Sequence, residues 1–408
     1  MMNANKMMHG RTASAGFSLV ELMVGVTIGL LATIVIFQVF AVSEGQKRTT
    51  TSGSDAEQNG AFAVHNLESF LRAAGNNITN TVPANAASVP VASQIAGCTI
   101  NMGLVFTGSP VSLVVGQTVR AIPVMITDGG GGVSDTITIF GGSAAGMGAP
   151  VSLSGTVGVG STAIPVASTF GLTTAVGATP ADLVLLAESQ AVGTATCTLA
   201  RVATIGPVAP APGAWVAGSG TINVAQGAVA NYSKQGALYN LGPNLIAFTY
   251  SVINNQLVAT DLTGVLPPVV VADQVVNIQA QYGVDTTVPP DGVIDTWVDP
   301  TGVWAFPAPP AALTATQIQQ VAQIRAVRIG IVVRSGQVER PPTAGACTTT
   351  PNLNLPVPLS NVAAATPSMS ASAAIDTTNI TTPNCYRYKT YETVIPIRNP
   401  IWSDVNSL

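Results

Sequence analysis

From Leu22 to Val42 the chain runs for about 20 residues without one charged side chain. At a rise of about 1.5 Å per residue, a helix of that length spans the roughly 30 Å hydrocarbon layer of a bilayer. The segment therefore reads as a membrane-crossing helix. The small residues Ala13, Ser14, Ala15 and Gly16 stand before the apolar stretch, the reverse of a secretory signal peptide. A cut after Gly16 leaves the apolar helix on the mature chain. Residues 1–16 carry Lys6 and Arg11 and no acid, so the positive-inside preference holds them in the cytoplasm and sends the remainder outward.

Glu21 adjoins this run, and a carboxylate in a membrane helix costs on the order of 3 kcal/mol. It needs a compensating cation. Cleavage before Phe17 creates an α-amino group that is cationic near neutral pH, one helical turn from Glu21 and able to reach the acid of a neighbouring copy's helix. Such a buried pair adds little net stability, but it fixes register, because a misaligned helix leaves a charge unpaired in lipid. Gly25 and Gly29 have the small-xxx-small spacing that lets helices approach closely in lipid.

The run Gly16-Phe17-Ser18-Leu19-Val20-Glu21-Leu22-Met23 resembles the processing site of type IV prepilins and related pseudopilins. The resemblance implies that a dedicated membrane peptidase, the prepilin peptidase, cuts after Gly16 and methylates the new Phe17 amine. It also implies that Glu21 aligns subunits during assembly.

Composition fits an exported, largely β protein. Leader removal takes two of the fifteen basic residues and none of the nineteen acids, leaving a formal charge of −6. That charge argues against specific nucleic-acid binding. Charged residues make up 8% of the chain against roughly 25% in ordinary soluble domains, so the surface has little self-repulsion and suits packing against like subunits. Cys98, Cys197, Cys347 and Cys385 all follow the membrane segment, which points to two disulfides in an oxidising compartment. Of the three possible connectivities, Cys98 with Cys197 and Cys347 with Cys385 closes the shorter loops and is favoured. Wide cysteine spacing and a single mature histidine argue against zinc.

Four segments are expected: a leader over 1–16, a stem helix over 17–78 whose part 17–42 crosses the membrane, a β-rich inserted lobe over 79–240, and a C-terminal antiparallel β domain over 241–408. Gly45 and Gly53 weaken the helix between Glu44 and Asp55, where a hinge or partly melted stretch is expected. Ala63, Leu67, Phe70, Leu71 and Ala74 then recur at spacings of three and four, the pattern of an amphipathic helix ending near Gly75-Asn76-Asn77. Leu104–Phe106, Thr136–Phe140 and Leu183–Ala187 read as short strands of the insert. Val276, Ile278, Ala280 and Tyr282 alternate with Asn277, Gln279 and Gln281, so this strand is expected to bury one face and wet the other. Val327, Ile329, Ile331 and Val333 alternate in the same way with Arg328, Gly330, Val332 and Arg334. These two are the expected central strands of a sheet against which the stem packs. Tyr386 to Arg398 reads as a further strand, and Leu313 to Ile324 as a short helix turning Ile318, Val321 and Ala322 inward.

These later segments narrow the resemblance. Gln279 to Asp285, Asp291 to Trp297, Val327-Arg328-Ile329 running to Arg334-Ser335, Arg387-Tyr388 and Pro396 to Asn399 resemble, in that order, the PilW family of type IV pilus minor pilins. The resemblance covers the stem and roughly the last 170 residues. It implies an α+β, pilin-like fold: a long N-terminal helix packed on an antiparallel sheet, here with a large β-rich insert. It further implies a non-catalytic subunit held in the inner membrane before assembly and in the extracellular pilus after it. Its partners would be other minor and major pilins, the prepilin peptidase and the inner-membrane assembly platform. Twitching motility, adhesion or DNA uptake would be the behaviours served. A type II secretion pseudopilin, or a tip adhesin gripping a surface or glycan through the insert, are the alternative readings.

Residues able to do chemistry are sparse. His9 lies in the leader and His65 on the amphipathic helix, so no histidine-centred triad suggests itself. Gly129 to Gly132 lacks the Gly-Lys-Ser/Thr that a phosphate-binding loop needs, and reads as a turn. Asp285, Asp291, Asp295 and Asp299 offer the oxygen ligands that calcium takes, but with Thr286 to Pro290 between the first two they depart from the spacing of good calcium loops. A solvated acidic turn is the favoured reading, with calcium as the alternative and no cofactor otherwise expected. Trp297, Trp304 and Trp402 read as core or sheet-edge residues.

Overall fold

The computed structural model describes residues 16, 18–78, 97–102, 118–130, 132–144, 150–177, 179–188, 196–206, 220–234, 236–287, 291–339, 347, 349–350 and 379–397. The expected strand Leu104–Phe106, together with Phe17, His9, Trp402, Arg398 and Asn399, lies outside these residues. The chain divides into two units, Met1–Ser52 and Gly53–Leu408.

Helix α1 spans Leu19–Arg72. It is helical throughout Glu44–Asp55, where a hinge was expected. An interior glycine costs a helix only about 1 kcal/mol, and the residues around Gly45 and Gly53 carry the helical hydrogen bonding across both. From Ala56 onward the helix buries Ala56, Ala63, Leu67 and Leu71, the stripe that its spacing predicts.

Among the described residues, seventeen strands follow, with one further α-helix. They are β1 (Thr99–Asn101), β2 (Thr118–Arg120), β3 (Val124–Thr127), β4 (Thr136–Gly142), β5 (Val151–Ser152), β6 (Ala163–Val166), β7 (Leu183–Ala187), β8 (Thr196–Gly206) and β9 (Gly220–Val224). Next come β10 (Ala237–Gly242), β11 (Leu245–Ile253), β12 (Gln256–Asp261), β13 (Val269–Asp273), β14 (Val275–Val284), β15 (Thr296–Val298), α2 (Ala315–Gln323), β16 (Ile324–Arg334) and β17 (Tyr388–Pro396). The architecture is α+β, one long apolar helix with largely antiparallel sheets.

An eight-stranded sheet contains β1, β2 and β5 to β10, a five-stranded sheet has the order β13-β12-β11-β4-β3, and a four-stranded sheet has the order β15-β14-β16-β17. The five-stranded sheet draws on both sides of Asn240, since β11 pairs antiparallel with β4 from Leu245↔Gly142 to Tyr250↔Ile137. Strands from either side of the segment boundary expected at Asn240 thus pair in one sheet. Proximity in sequence gives no hint of a pairing that spans about 100 residues of chain.

Within the second unit, the part of α1 from Ala56 onward packs against both smaller sheets. Ala63, Leu67 and Leu71 share one core with Val124 and Ile126 of β3, Ile137 and Ile139 of β4, Ile278 of β14, and Ile329 and Ile331 of β16. Phe70 meets Phe248 edge-on at 5.3 Å between ring centroids, and the Tyr250 hydroxyl donates to Asn66 Oδ1 at 3.0 Å. Just past the helix Gly75 takes φ 71°, and its amide donates to the Phe140 carbonyl at 2.8 Å instead of back into α1. The Gly142 amide in turn donates to Asn76 O at 2.7 Å, locking the end of α1 to the end of β4.

Glycine is required on the β4 side of this junction. A Cβ on Gly141 would lie 3.0 Å from Ala73 O, and one on Gly142 would lie 2.7 Å from Leu241 O, both backbone atoms that cannot swing aside. Gly142→Ala is expected to destabilise the protein by about 1–3 kcal/mol, the usual range for overpacking. A lowered midpoint in chemical denaturation checks this, and an unchanged midpoint contradicts it.

β14 and β16 are central in the four-stranded sheet, but neither has a wet face. All ten residues of β14 are buried, as are the first ten of β16. A register shift between Val275 and Asn277 also breaks the alternation. Val275 joins the core with Ile278, Ala280 and Tyr282, while Val276 packs with Val332 and Ile380 in a separate cluster. The polar residues are covered by partners from elsewhere: Asn277 and Gln279 donate to the carbonyls of Gly132 and Val133, and Gln281 donates to Asp299. Arg328 stacks over Trp297 and pairs with Glu392.

Helix α2 is fixed by a capping box between Thr314 and Gln317, and it buries Ile318 and Val321 while Ala322 stays half-buried.

Candidate assembly site

In the first unit, α1 presents its apolar side chains outward. Leu19, Leu31, Phe37 and Phe40 are all exposed, Leu19 to 75%. Among the described residues this is the one helix long and apolar enough to cross a membrane. Its polar side chains suit such a setting. Thr27 Oγ1 donates to the carbonyls of Met23 and Val24, and Thr33 Oγ1 to those of Gly29 and Leu30, so neither hydroxyl goes unsatisfied where water is absent. An added Cβ on Gly25 or Gly29 would meet nothing within 4 Å, leaving that face open.

Gly16 and Glu21 are exposed, and Phe17 lies outside the described residues. The first helical hydrogen bond runs from the Leu22 amide to Ser18 O at 3.0 Å, which makes Ser18 the N-cap and Glu21 the third residue of the first turn. Ser18-Leu19-Val20-Glu21 thus has the Ser-x-x-Glu spacing of a capping box. This spacing is legible in the sequence itself.

In the second unit the cysteines form two bridges, Cys98 to Cys197 with Cα atoms 5.6 Å apart and Cys347 to Cys385 at 4.9 Å. The first joins the start of β1 to β8 inside the core of the eight-stranded sheet. The second lies beside the ion pair of Arg387 with Glu339, at the base of the connection from β16 to β17.

Of the four acids in the loop, Asp285, Asp291 and Asp295 gather around the Thr287 hydroxyl, with oxygens 2.9, 3.4 and 3.3 Å from it. Asp285 is fully buried and faces Arg325, with Oδ2 3.4 Å from Nε, and it accepts the amides of Gly292 and Thr287. Asp295 Oδ2 accepts the amides and hydroxyls of Thr286 and Thr287, and these bonds hold its carboxyl below the usual carboxylate range. Asp291 Oδ1 accepts the Val293 amide, and Asp299 Oδ1 accepts from Gln281. The loop uses its carboxylates as acceptors for its own backbone and as a counter-ion to Arg325. Among the described residues, no group of three or more His, Cys, Asp or Glu side chains is placed to hold a metal.

His65 is exposed on α1, Trp297 is half-buried on the edge strand β15, and Trp304 packs against the main core. The tyrosines at the centre of the fold are structural. Burial pushes the hydroxyls of Tyr250 and Tyr282 well above the ordinary phenol range, and that of Tyr232 up to about 12.

Residues 250–399 match the family model described as Type IV Pilus-assembly protein W. This match supports a PilW-family type IV pilus protein. The PilW match begins within β11 and takes in β12 to β17, hence the whole four-stranded sheet with the buried Asp285–Arg325 pair. Helix α1 and the strands β1 to β10 lie outside it. No curated protein and no solved structure matches the chain.

Proposed function

We propose that this PilW-family chain is a minor pilin, a non-catalytic structural subunit that enters a type IV pilus or primes its assembly. The prepilin peptidase cuts it after Gly16 and methylates Phe17. It waits in the inner membrane with its leader cytoplasmic, then joins other minor and major pilins at the assembly platform. In the fibre, burial of the Leu19 to Val42 surface against neighbouring helices replaces burial in lipid, and the Phe17 amine with Glu21 sets register. Twitching motility, adhesion or DNA uptake follow from the filament it helps to build. The observation that carries this reading is the exposed apolar helix with one acid in its first turn, on a chain whose C-terminal region matches PilW.

Mass spectrometry of the N-terminus tests it. Protein recovered from the membrane of a piliated host should begin at Phe17 with a methylated amine. An intact Met1, or a cut beyond Val42, would remove the basis of the proposal.

A further inference from the structure

On one side β14 pairs with β16 along its length, but on the other β15 reaches only Tyr282 to Val284. The rest of that edge is met by Gly132–Asp135, the segment leading into β4. The Asp135 amide donates to Ile278 O at 2.8 Å, the Ile278 amide donates to Ser134 Oγ at 3.3 Å, and the Ala280 amide donates to Asp135 Oδ2 at 2.8 Å. Asp135 Oδ1 also accepts the Gly129 amide at 3.1 Å, so one carboxylate ties the turn to itself and to the sheet.

That carboxylate is buried, and the charged groups acting on it are acids. Asp128 comes from its own turn and Asp299 from beyond β15. Tyr282 of β14 also faces it, with a hydroxyl that accepts the Ile126 amide. The arginines of β16 that flank the region pair elsewhere, Arg325 with Asp285 and Arg328 with Glu392.

We propose that Asp135 makes the Gly132–Asp135 strap a pH-responsive clasp on the edge of β14, closed in acid and released toward neutral pH. Release uncovers the backbone of Ile278 and Ala280 on an otherwise covered sheet edge. Burial outweighs the Ala280 and Gly129 amides, which favour the charged form, and with a smaller push from the two nearby acids it raises the closed Asp135 to about 7. A released, solvated carboxylate returns to about 3.9. An acid raised in the closed form keeps its proton there between these values. Closure is therefore strongest below about pH 4 and weakens about tenfold per pH unit up to about pH 7, beyond which it levels off.

Site-resolved hydrogen exchange on the full chain in detergent, corrected for intrinsic rates, tests this at pH 5 and pH 7.5. Protection of the Ile278 and Ala280 amides should fall about tenfold or more between the two, while the amides of β16 hold. Asp135→Asn should abolish the difference. Asp128→Asn, which removes a like charge, should move the midpoint to lower pH, and it decides the matter if Asp135→Asn does not fold. Equal protection at both pH values, a pH dependence surviving in Asp135→Asn, or an unmoved midpoint in Asp128→Asn would each overturn the clasp.

Discussion

Asp285→Ala is expected to cost about 3–5 kcal/mol of stability, the range for removing one partner of a buried ion pair. The Asp285 and Arg325 side chains are 0% and 3% exposed, so solvent cannot take over the neutralisation of the guanidinium. The same carboxylate accepts the Gly292 amide and the Thr287 amide and hydroxyl, and its loss frees the start of the loop that returns to β15. Arg325 Nη1 also donates to Ala322 O, so the disturbance reaches the end of α2. Asp285→Asn should cost less, because it keeps an acceptor for the loop. Replacing both partners by apolar residues of similar volume should recover most of the loss, since desolvating two charges offsets much of their attraction. The exposed pair of Arg72 with Glu68 sets the contrast: Glu68→Gln should change stability by less than about 0.5 kcal/mol. Chemical denaturation of the four variants ranks them. A cost below about 1 kcal/mol for Asp285→Ala would contradict the assignment of this pair as an internal brace.

Periodicity carried the elements and failed at their surroundings. The absence of charge from Leu22 to Val42 is enough to specify a membrane-length helix, and Ala63, Leu67 and Leu71 announce the face that α1 buries. Alternation in Val327 to Val333 likewise identifies the inward face of β16. What alternation cannot state is whether a second layer covers the other face. Asn277, Gln279, Gln281 and Arg328 look solvated because their burial is supplied by Gly132, Val133, Asp299 and Glu392, far away in sequence. The shift that sends Val276 away from Ile278 leaves no local mark. The acidic loop likewise depends on a remote partner: Asp285, the first of four carboxylates in fifteen residues, pairs with Arg325, forty residues downstream.

Glu21→Gln is expected to leave processing and membrane insertion intact and to lower recovery in pili by about tenfold or more, the equivalent of about 1.4 kcal/mol lost from each register contact. Glutamine keeps the length and the hydrogen-bonding capacity of glutamate, so only the charge is removed, and with it, on the proposed reading, the penalty of about 3 kcal/mol that would drive a misplaced subunit to realign. Glu21→Leu removes the charge as well and should assemble no better.

The most direct measurement is the amount of the Glu21→Gln chain in sheared pili relative to the amount in the inner membrane, compared with the parent in the same host. A ratio lowered by about tenfold, with an unchanged Phe17 terminus, is the expected result. A ratio equal to the parent's would contradict alignment by the Glu21 charge.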